Sequence, residues 1–425
     1  MSYSINEKLG KMNKKKIIFK VPEFPHVSET FIVAQIVTAI KLGYEVEILI
    51  RKLLDNAVAS NVGLIEQYGL LDKIIIEDYK IPKSKIIRSF NWFILLLANI
   101  KHIYYIIKFY KEFPKFSLTW LYTCHFYKQF NDAAIIHVQY GTNKYPIDIL
   151  KKIGYFKPSV IATFHGHDAF FPINGFIPNN GYYDNLFRYG NLITVNTPYL
   201  GEKILELGCP TALLSIVPVG VDMDFFYPNI EKKGMHKTLK LITVGRLVKV
   251  KGHQFCIEAV KQLINKGIEV TLTIIGEGPE RSNLENLIAK YHLEDIVFMK
   301  GSKTQQEVRL GLWEHDLYLL TTIALPDGRS ETQGLATLEA QACGLPVIVF
   351  DSGGVKYTLE DGVSGFVCKE YDVEEVVANI IKLIDNPSLL TKMSDQAVTF
   401  VNENYSQKII DQKWEVIYRN LSNGK

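Results

Sequence analysis

Residues 317–351 read LYLLTTIALPDGRSETQGLATLEAQACGLPVIVFD, and the order of events within them decides the fold. An apolar run, Leu317–Thr321, gives way to a polar loop. A helical pattern runs on from Ser330, and Gly344 and Pro346 end it just before a second apolar run, Val347–Asp351. Glycine ends helices because it adopts the left-handed conformation without steric cost, and proline cannot continue them. Strand, helix and strand in so short a space make a βαβ unit, which requires a parallel sheet.

The same alternation extends towards the N-terminus. Short β-branched runs occur at Lys16–Val21, Tyr44–Ile50, Ala134–Gln139, Val160–His165, Leu192–Asn196 and Leu214–Val219, then at Lys240–Val244, Val270–Gly276 and Ile296–Met299. They lack clean alternation of apolar and polar residues, as expected of strands covered on both faces. The runs fall into two groups that meet near Tyr227–Gly234. The expected class is therefore α/β, with two Rossmann-like domains whose parallel sheets face an interdomain cleft. Their bounds are 1–227 and 228–405, with 1–14 read as a flexible leader and Met12 as an alternative start to Met1. In such sheets ligands sit beyond the carboxyl ends of the strands, and a cleft between two domains is the preferred place for a small molecule.

Composition narrows the classes. With 425 residues, 47% apolar and 22% charged, the chain is an ordinary globular one, and its 29 Gly and 16 Pro show no triplet period. A net charge of +3 is too small for a dedicated nucleic-acid binder. Through residue 225 there are 25 Lys and Arg against 19 Asp and Glu, or +6, and the remainder has 23 against 26, or −3, so the halves face different partners. Five widely spaced cysteines without a Cys-x-x-Cys pair indicate neither a disulfide framework nor a structural zinc site. They point to a reducing, cytoplasmic compartment. Lys20 cuts short the only early apolar run, so a secretion signal is not expected, and Lys101 and His102 break Trp92–Ile100 well short of the ~20 residues that a membrane span needs.

Four strand-to-helix turns carry chemistry. After the first strand of the second domain, Arg246 and Lys251 put two cations at one strand end, suited to a diphosphate; the plainer alternative is a solvated loop. After Leu317–Thr321, Ser330 or Thr332 caps the helix, and free amides at Gly334, Leu335 and Ala336 face an anion. Glu331 and Glu339, about 12 Å apart if helical throughout, would grip two hydroxylated ends of one ligand. The alternative makes Ser330-x-x-Gln333 a capping box and both acids helix-surface residues. At the end of Val160–His165, His165 would present its imidazole to the cleft as a donor to a sugar hydroxyl or a stabiliser of developing charge. His165-x-His167 lacks a third metal ligand at suitable spacing, and Asp222-Met223-Asp224 has no supporting carboxylates, so no metal is expected. After the first strand, Ser28 or Thr30 caps the helix Thr30–Leu42, and Ser28 and Glu29 form a phosphate or acceptor loop. The absence of Gly-x-Gly-x-x-Gly there counts against a nicotinamide or flavin dinucleotide.

Residues 81–130 stand apart, with eight Lys or Arg against one acid, Glu112, and fourteen aromatic residues. Cations interleaved with Trp, Tyr and Phe suit an anionic membrane surface. A single-stranded nucleic acid would accept the same composition, and the plain alternative makes Trp92–Ile107 a core helix with snorkelling lysines. The membrane reading is preferred, because a lipid-linked acceptor would explain it.

With these residues assembled, the chain resembles glycosyltransferase family 4, the retaining GT-B enzymes. FPHVSETFI at 24–32 and His165-Gly166-His167-Asp168 are similar to the colanic acid and amylovoran type of exopolysaccharide transferases. The most specific feature is Glu331-x7-Glu339 with Ala340 and Gly344-Leu345-Pro346. The resemblance implies that Glu331 holds donor-sugar hydroxyls, Glu339 the nucleotide ribose, and Arg246 and Lys251 the diphosphate. It places His165 beside the reacting sugars and Met299, within Phe298–Gly301, against the nucleobase. It makes Gly276 part of the glycine turn before a helix, and 406–425 a helix crossing back to the first domain. Gln333 replaces a frequent Phe, and His26-Val27-Ser28 a frequent Gly-Gly.

The implied enzyme is a hexosyltransferase-type glycosyltransferase with no cofactor and a nucleotide diphosphate sugar as co-substrate. It serves a saccharide or lipid-linked saccharide acceptor in bacterial exopolysaccharide, capsule or lipopolysaccharide biosynthesis, at the inner face of the cytoplasmic membrane. A nucleotide-sugar epimerase of the same fold and a non-catalytic nucleotide-binding partner of a polysaccharide assembly complex are the alternatives.

Overall fold

The computed structural model describes residues 15–25, 30–55, 62–229 and 236–424. Ser28 and Glu29, the leader with Met1 and Met12, and most of the junction at Tyr227–Gly234 lie outside these residues. The first sheet holds seven parallel strands: β1 (Lys16–Phe24), β2 (Glu45–Leu53), β3 (Ile74–Ile76), β4 (Ile135–Gln139), β5 (Ser159–Thr163), β6 (Leu192–Val195) and β7 (Leu214–Ile216). Their spatial order is β3-β2-β1-β4-β5-β6-β7. The second sheet holds β8 (Leu239–Val244), β9 (Val270–Ile275), β10 (Val297–Met299), β11 (Leu317–Leu320), β12 (Val347–Phe350) and β13 (Gly365–Cys368), ordered β10-β9-β8-β11-β12-β13 and again parallel. Every residue of β4, β11 and β12 is buried, which is why their sequences do not alternate.

Two strands escaped the sequence reading. β3 has three half-buried or exposed residues at the edge of its sheet, and β13 opens on a glycine at the edge of the other. Edge strands need little apolar length, so their signal is weak. Conversely, β7 stops at Ile216, short of the expected Val219, because Val217–Val221 is taken up in the crossing between the domains.

Strand order reverses between β1 and β4 in one sheet and between β8 and β11 in the other. Loops leave neighbouring strands on opposite sides at such a switch point, opening a crevice at the carboxyl ends. The helix Leu335–Ala342 begins there.

The C-terminal helix, Gln407–Ser422, packs on the first sheet. Ile410, Trp414 and Tyr418 share its core with Ile17, Phe19 and Ile135, and Tyr418 Oη lies 3.0 Å from His137 Nδ1. The two chain crossings pair with each other: Val221 donates to the Tyr405 carbonyl at 2.8 Å, and Gln407 donates back to Val221 at 2.8 Å.

The core-helix alternative for Trp92–Ile107 holds only towards its C-terminal end, where Ile106 is buried. The helix Lys85–Ala98 contains no buried residue, and it meets the helical turns of Ile100–Lys111 at 75°. No single helix among the described residues is long and apolar enough to cross a membrane.

Trp414→Ala should cost about 3–5 kcal/mol of stability, the range for deleting a buried aromatic side chain, read from the urea midpoint. A loss under about 1 kcal/mol would mean that the returning helix is not held by this contact.

Candidate active site

The second sheet supplies the charged half of the crevice. β8 is followed by Gly245 and Arg246, whose turn lies against the turn after β9. Gly276 makes that approach possible: a Cβ there would stand 1.9 Å from the Gly245 carbonyl oxygen. Its amide donates to Gly301 at 2.9 Å, which ties the end of β10 to the same cluster. Arg246 is exposed and its guanidinium makes no ion pair or hydrogen bond among the described residues. Met299 packs against the core of the second sheet, and its neighbour Phe298 is the more exposed of the two, with Lys300 Nζ 5.1 Å from the ring centre.

Lys251 closes a short helical turn, Lys249–Lys251, and its Nζ lies 2.6 Å from Glu331 Oε2. The other oxygen, Oε1, accepts from the Gly334 amide at 3.1 Å. Burial would raise the Glu331 carboxyl, but Lys251 and the amides of Gly334 and Gln333 hold it below the ordinary range. This corrects the capping expectation. The helix is Leu335–Ala342, capped at Gly334 in a left-handed conformation (φ +85°), and no side chain of Ser330 or Thr332 caps it. Glu331 thus belongs to the loop, not to one continuous helix with Glu339. The Gly334 amide is occupied by Glu331, which leaves Leu335 and Ala336 as the orphan first-turn donors.

Glu339 faces the same cation from the helix but accepts no hydrogen bond from the described residues. Burial pushes its carboxyl up to about 7, and Lys251 only partly offsets this. Tyr318 lies beneath both acids, its hydroxyl bonded to the Val244 carbonyl at 3.2 Å.

The first sheet supplies the uncharged half. His165 follows β5, its ring flanked by Phe31 and Tyr140, each with its ring centre 4.6 Å away. Asp168 shapes this loop from within: its oxygens accept from the amides of His165, Gly166 and Gly141 at 3.1, 2.9 and 2.8 Å. Gln139 Nε2 donates to Gln35, so Gln139 Oε1 is left as acceptor for His165 Nε2 at 2.9 Å. That relay fixes the tautomer, with the proton on Nε2 and a lone pair on Nδ1. The expectation of a His165 donor is corrected accordingly: the free ring nitrogen is an acceptor. Burial, with His167 nearby, pushes the imidazole down to about 3, so it is uncharged at neutral pH.

Thr332 and Gln333 join the halves beside the crevice. Thr332 donates to the His165 carbonyl at 3.1 Å, receives Asn196 at 3.1 Å, and its own carbonyl accepts from Thr197 at 2.7 Å. Gln333 lies beside it, buried, and pairs with both backbone groups of Val219 at 2.9 Å each. The residue that departs from the family's frequent Phe therefore joins the domains. Asp222 accepts from Asp224 and Phe225 amides within its own turn. No group of three metal-ligand side chains occurs among the described residues.

The relay Gln35–Gln139, the organiser Asp168 and the bridge Thr332 were missed by sequence reasoning. Asp168 left one signal, a carboxylate shortly after the strand end, placed to accept from the amides of His165 and Gly166. The glutamines left none, being 104 residues apart.

The profile described as Glycosyl transferases group 1 matches residues 228–399. WcaL of Salmonella typhimurium, a putative colanic acid biosynthesis glycosyltransferase, is 28% identical over 414 residues, covering 94% of this chain and 98% of its own. AmsK of Erwinia amylovora, an amylovoran biosynthesis glycosyltransferase, is 26% identical over 96% of this chain and 100% of its own. Among solved structures, Anabaena Alr3699/HepE in complex with UDP aligns with a TM-score of 0.71 at 16% identity, over 96% of this chain and 100% of its own. Sucrose-phosphate synthase from Thermosynechococcus elongatus aligns at 0.68 and 16% identity, over 97% and 100%. The shared fold is GT-B: two Rossmann-like sheets across a cleft.

Glu339 yields a pH prediction. In the unfolded chain its carboxyl ionises near the ordinary 4.5, in the folded one near 7. Its contribution is most favourable below 4.5, falls as pH rises between these values and is constant above 7. Glu339→Gln should therefore raise the melting temperature at pH 8 more than at pH 4.5. Equal effects at both values would show that the carboxyl is not held up by its site.

Proposed function

Because this chain belongs to the group 1 glycosyltransferases, we propose that it transfers a sugar, with retention of anomeric configuration, from a nucleoside diphosphate sugar to a saccharide acceptor carried on a membrane lipid. The observation that carries this reading is one half-buried cation, Lys251, paired with Glu331 and acting on Glu339 at the carboxyl ends of β8 and β11, with Arg246 beside it and unpaired among the described residues. Two carboxylates alone would repel a diphosphate; two cations and the orphan amides of Leu335 and Ala336 attract one.

In the donor-free state Lys251 neutralises Glu331. A diphosphate entering the cleft takes over that ammonium, with Arg246 as a planar fork, and frees the Glu331 carboxylate to accept hydroxyls of the donor sugar. Glu339 accepts from the nucleotide ribose. As the bond from the anomeric carbon to the phosphate oxygen breaks, Arg246, Lys251 and the helix amides stabilise the charge that the diphosphate gains. The acceptor hydroxyl oxygen attacks on the vacated face, and its proton passes to the departing phosphate oxygen. The lone pair on His165 Nδ1 faces the positive character of the sugar. Domain closure excludes water. The relatives named for colanic acid and amylovoran biosynthesis support an exopolysaccharide pathway, and the UDP complex of the structural neighbour supports a nucleoside diphosphate donor. Ser28 and Glu29 remain the proposed phosphate or acceptor loop, and the enzyme is placed at the cytoplasmic face of the membrane.

Arg246→Ala should lower kcat/KM for transfer by about 10²–10³, the cost of removing one group that stabilises developing charge, measured by nucleoside diphosphate release with acceptor present. Unchanged kinetics would remove the diphosphate role, and an epimerised sugar formed from donor alone would replace transfer with epimerisation. Nucleotide binding near pH 7 should release a proton from wild type but not from Glu339→Gln, seen by calorimetry in buffers of different ionisation enthalpy; release from both would take the ribose contact away from Glu339.

A further inference from the structure

The first domain carries an apolar face that nothing among the described residues covers. Along the helix Lys85–Ala98, Ile86, Phe90, Phe93 and Leu97 recur at helical spacing on one side, and Ile86 is 83% and Leu97 70% exposed. Beyond the 75° bend, Ile100, Tyr104 and Ile107 repeat the pattern, each at least half exposed. The inner side is well tied down: Trp92 Nε1 donates to Tyr110 Oη at 2.9 Å, and Tyr122 Oη donates to the Arg88 carbonyl at 2.9 Å. The outer side is therefore an exposed face of a packed element, not a loosened one. Contiguous apolar surface of this kind is rare on a protein that stays free in water.

Charge identifies what covers it. Lys83, Lys85, Lys101, Lys108, Lys111 and Lys115 are all exposed around the two helices, and Lys108 Nζ lies 4.4 Å from the Tyr104 ring centre, its stem along the apolar face and its charge at the rim. The single acid of the stretch, Glu112, is already paired with Lys152 at 2.5 Å. At the bend, burial together with Lys128, Lys157 and Lys101 disfavours the charged form of His102, a sign of how one-sided the local field is. A second copy of this chain would bring the same lysines face to face. A single-stranded nucleic acid stacks on aromatic rings, whereas Ile86, Ile87, Ile94, Leu97 and Ile100 are aliphatic.

We propose that the face formed by Ile86, Phe90, Phe93 and Leu97, with Ile100, Tyr104 and Ile107 beyond the bend, lies in the interface of an anionic lipid bilayer, with the surrounding lysines on the headgroups. The helix Lys85–Ala98 has 14 residues, about 21 Å at 1.5 Å each, against a hydrocarbon core of about 30 Å, so it lies along the surface rather than crossing it. Apolar side chains supply the depth of insertion and the lysines the preference for negative lipid. The surface rests on exposure and charge alone, and it deepens the proposed function only by bringing the cleft to where a lipid-carried acceptor would be.

The experiment is co-sedimentation of the full chain, without donor or acceptor, with vesicles of phosphatidylcholine containing phosphatidylglycerol and with phosphatidylcholine alone. Binding to the anionic vesicles only is expected. Each Lys→Ala change among Lys101, Lys108 and Lys111 should weaken it about fivefold. The double change Phe90→Ser and Leu97→Ser should abolish it with no fall in melting temperature, because both side chains are exposed. No sedimentation, equal binding to neutral vesicles, or indifference to the Phe90 and Leu97 changes would overturn the proposal. So would a dimer in lipid-free buffer that the same double change dissolves. Transfer to a soluble acceptor is measured separately, so failure here and failure of the sugar-transfer reading give different results.

Discussion

Thr332 spans the gap between the two sheets. Its hydroxyl holds the His165 carbonyl and its own carbonyl is held by Thr197, while the neighbouring Gln333 pairs with both backbone groups of Val219. Glu331 precedes this bridge directly, and Gly334 follows it as the cap of the helix. The same four residues therefore join the domains, present a carboxylate to the cleft and start the helix Leu335–Ala342. A hydrogen bond contributes only about 1 kcal/mol net, but leaving a buried partner unsatisfied costs more. Gln333, buried with both amide atoms engaged, is thus committed to a single interdomain position.

Electrostatics divides the site along that seam. On the second-domain side the half-buried Lys251 ammonium keeps Glu331 ionised while Glu339 stays near the point of protonation. On the first-domain side, burial removes charge from His165, and the glutamine relay decides which nitrogen carries the proton. Under the proposed function, the charged side would receive the leaving group and the uncharged side the sugar. The cost is visible in Glu339, a carboxyl without a hydrogen-bond donor among the described residues.

The exposed helices of 81–130 and the cleft belong to the same domain but obey opposite rules. Aromatic residues on the inner side pack as any core does. The outer side leaves aliphatic side chains in water among lysines, which is the basis of the proposed bilayer contact.

The βαβ order of 317–351, the two groups of strands and the turns carrying Arg246, Lys251, Glu331 and His165 were all readable along the chain. Each depends on local matters: apolar length, glycine and proline punctuation, and where a strand ends. The sequence by itself thus determined a doubly wound parallel architecture and the charged turns at its strand ends. It misjudged the cap at Gly334 and the continuity of Glu331 with Glu339, since backbone conformation there is set by a left-handed glycine and an ion pair with Lys251, eighty residues earlier. Only the tertiary structure decided that Gln333 is an interdomain bond, that His165 offers a lone pair and that the helix Lys85–Ala98 is bare on one side. Those outcomes depend on partners brought together by sheet order and domain contact, and burial and hydrogen-bond geometry exist only once the chain has folded.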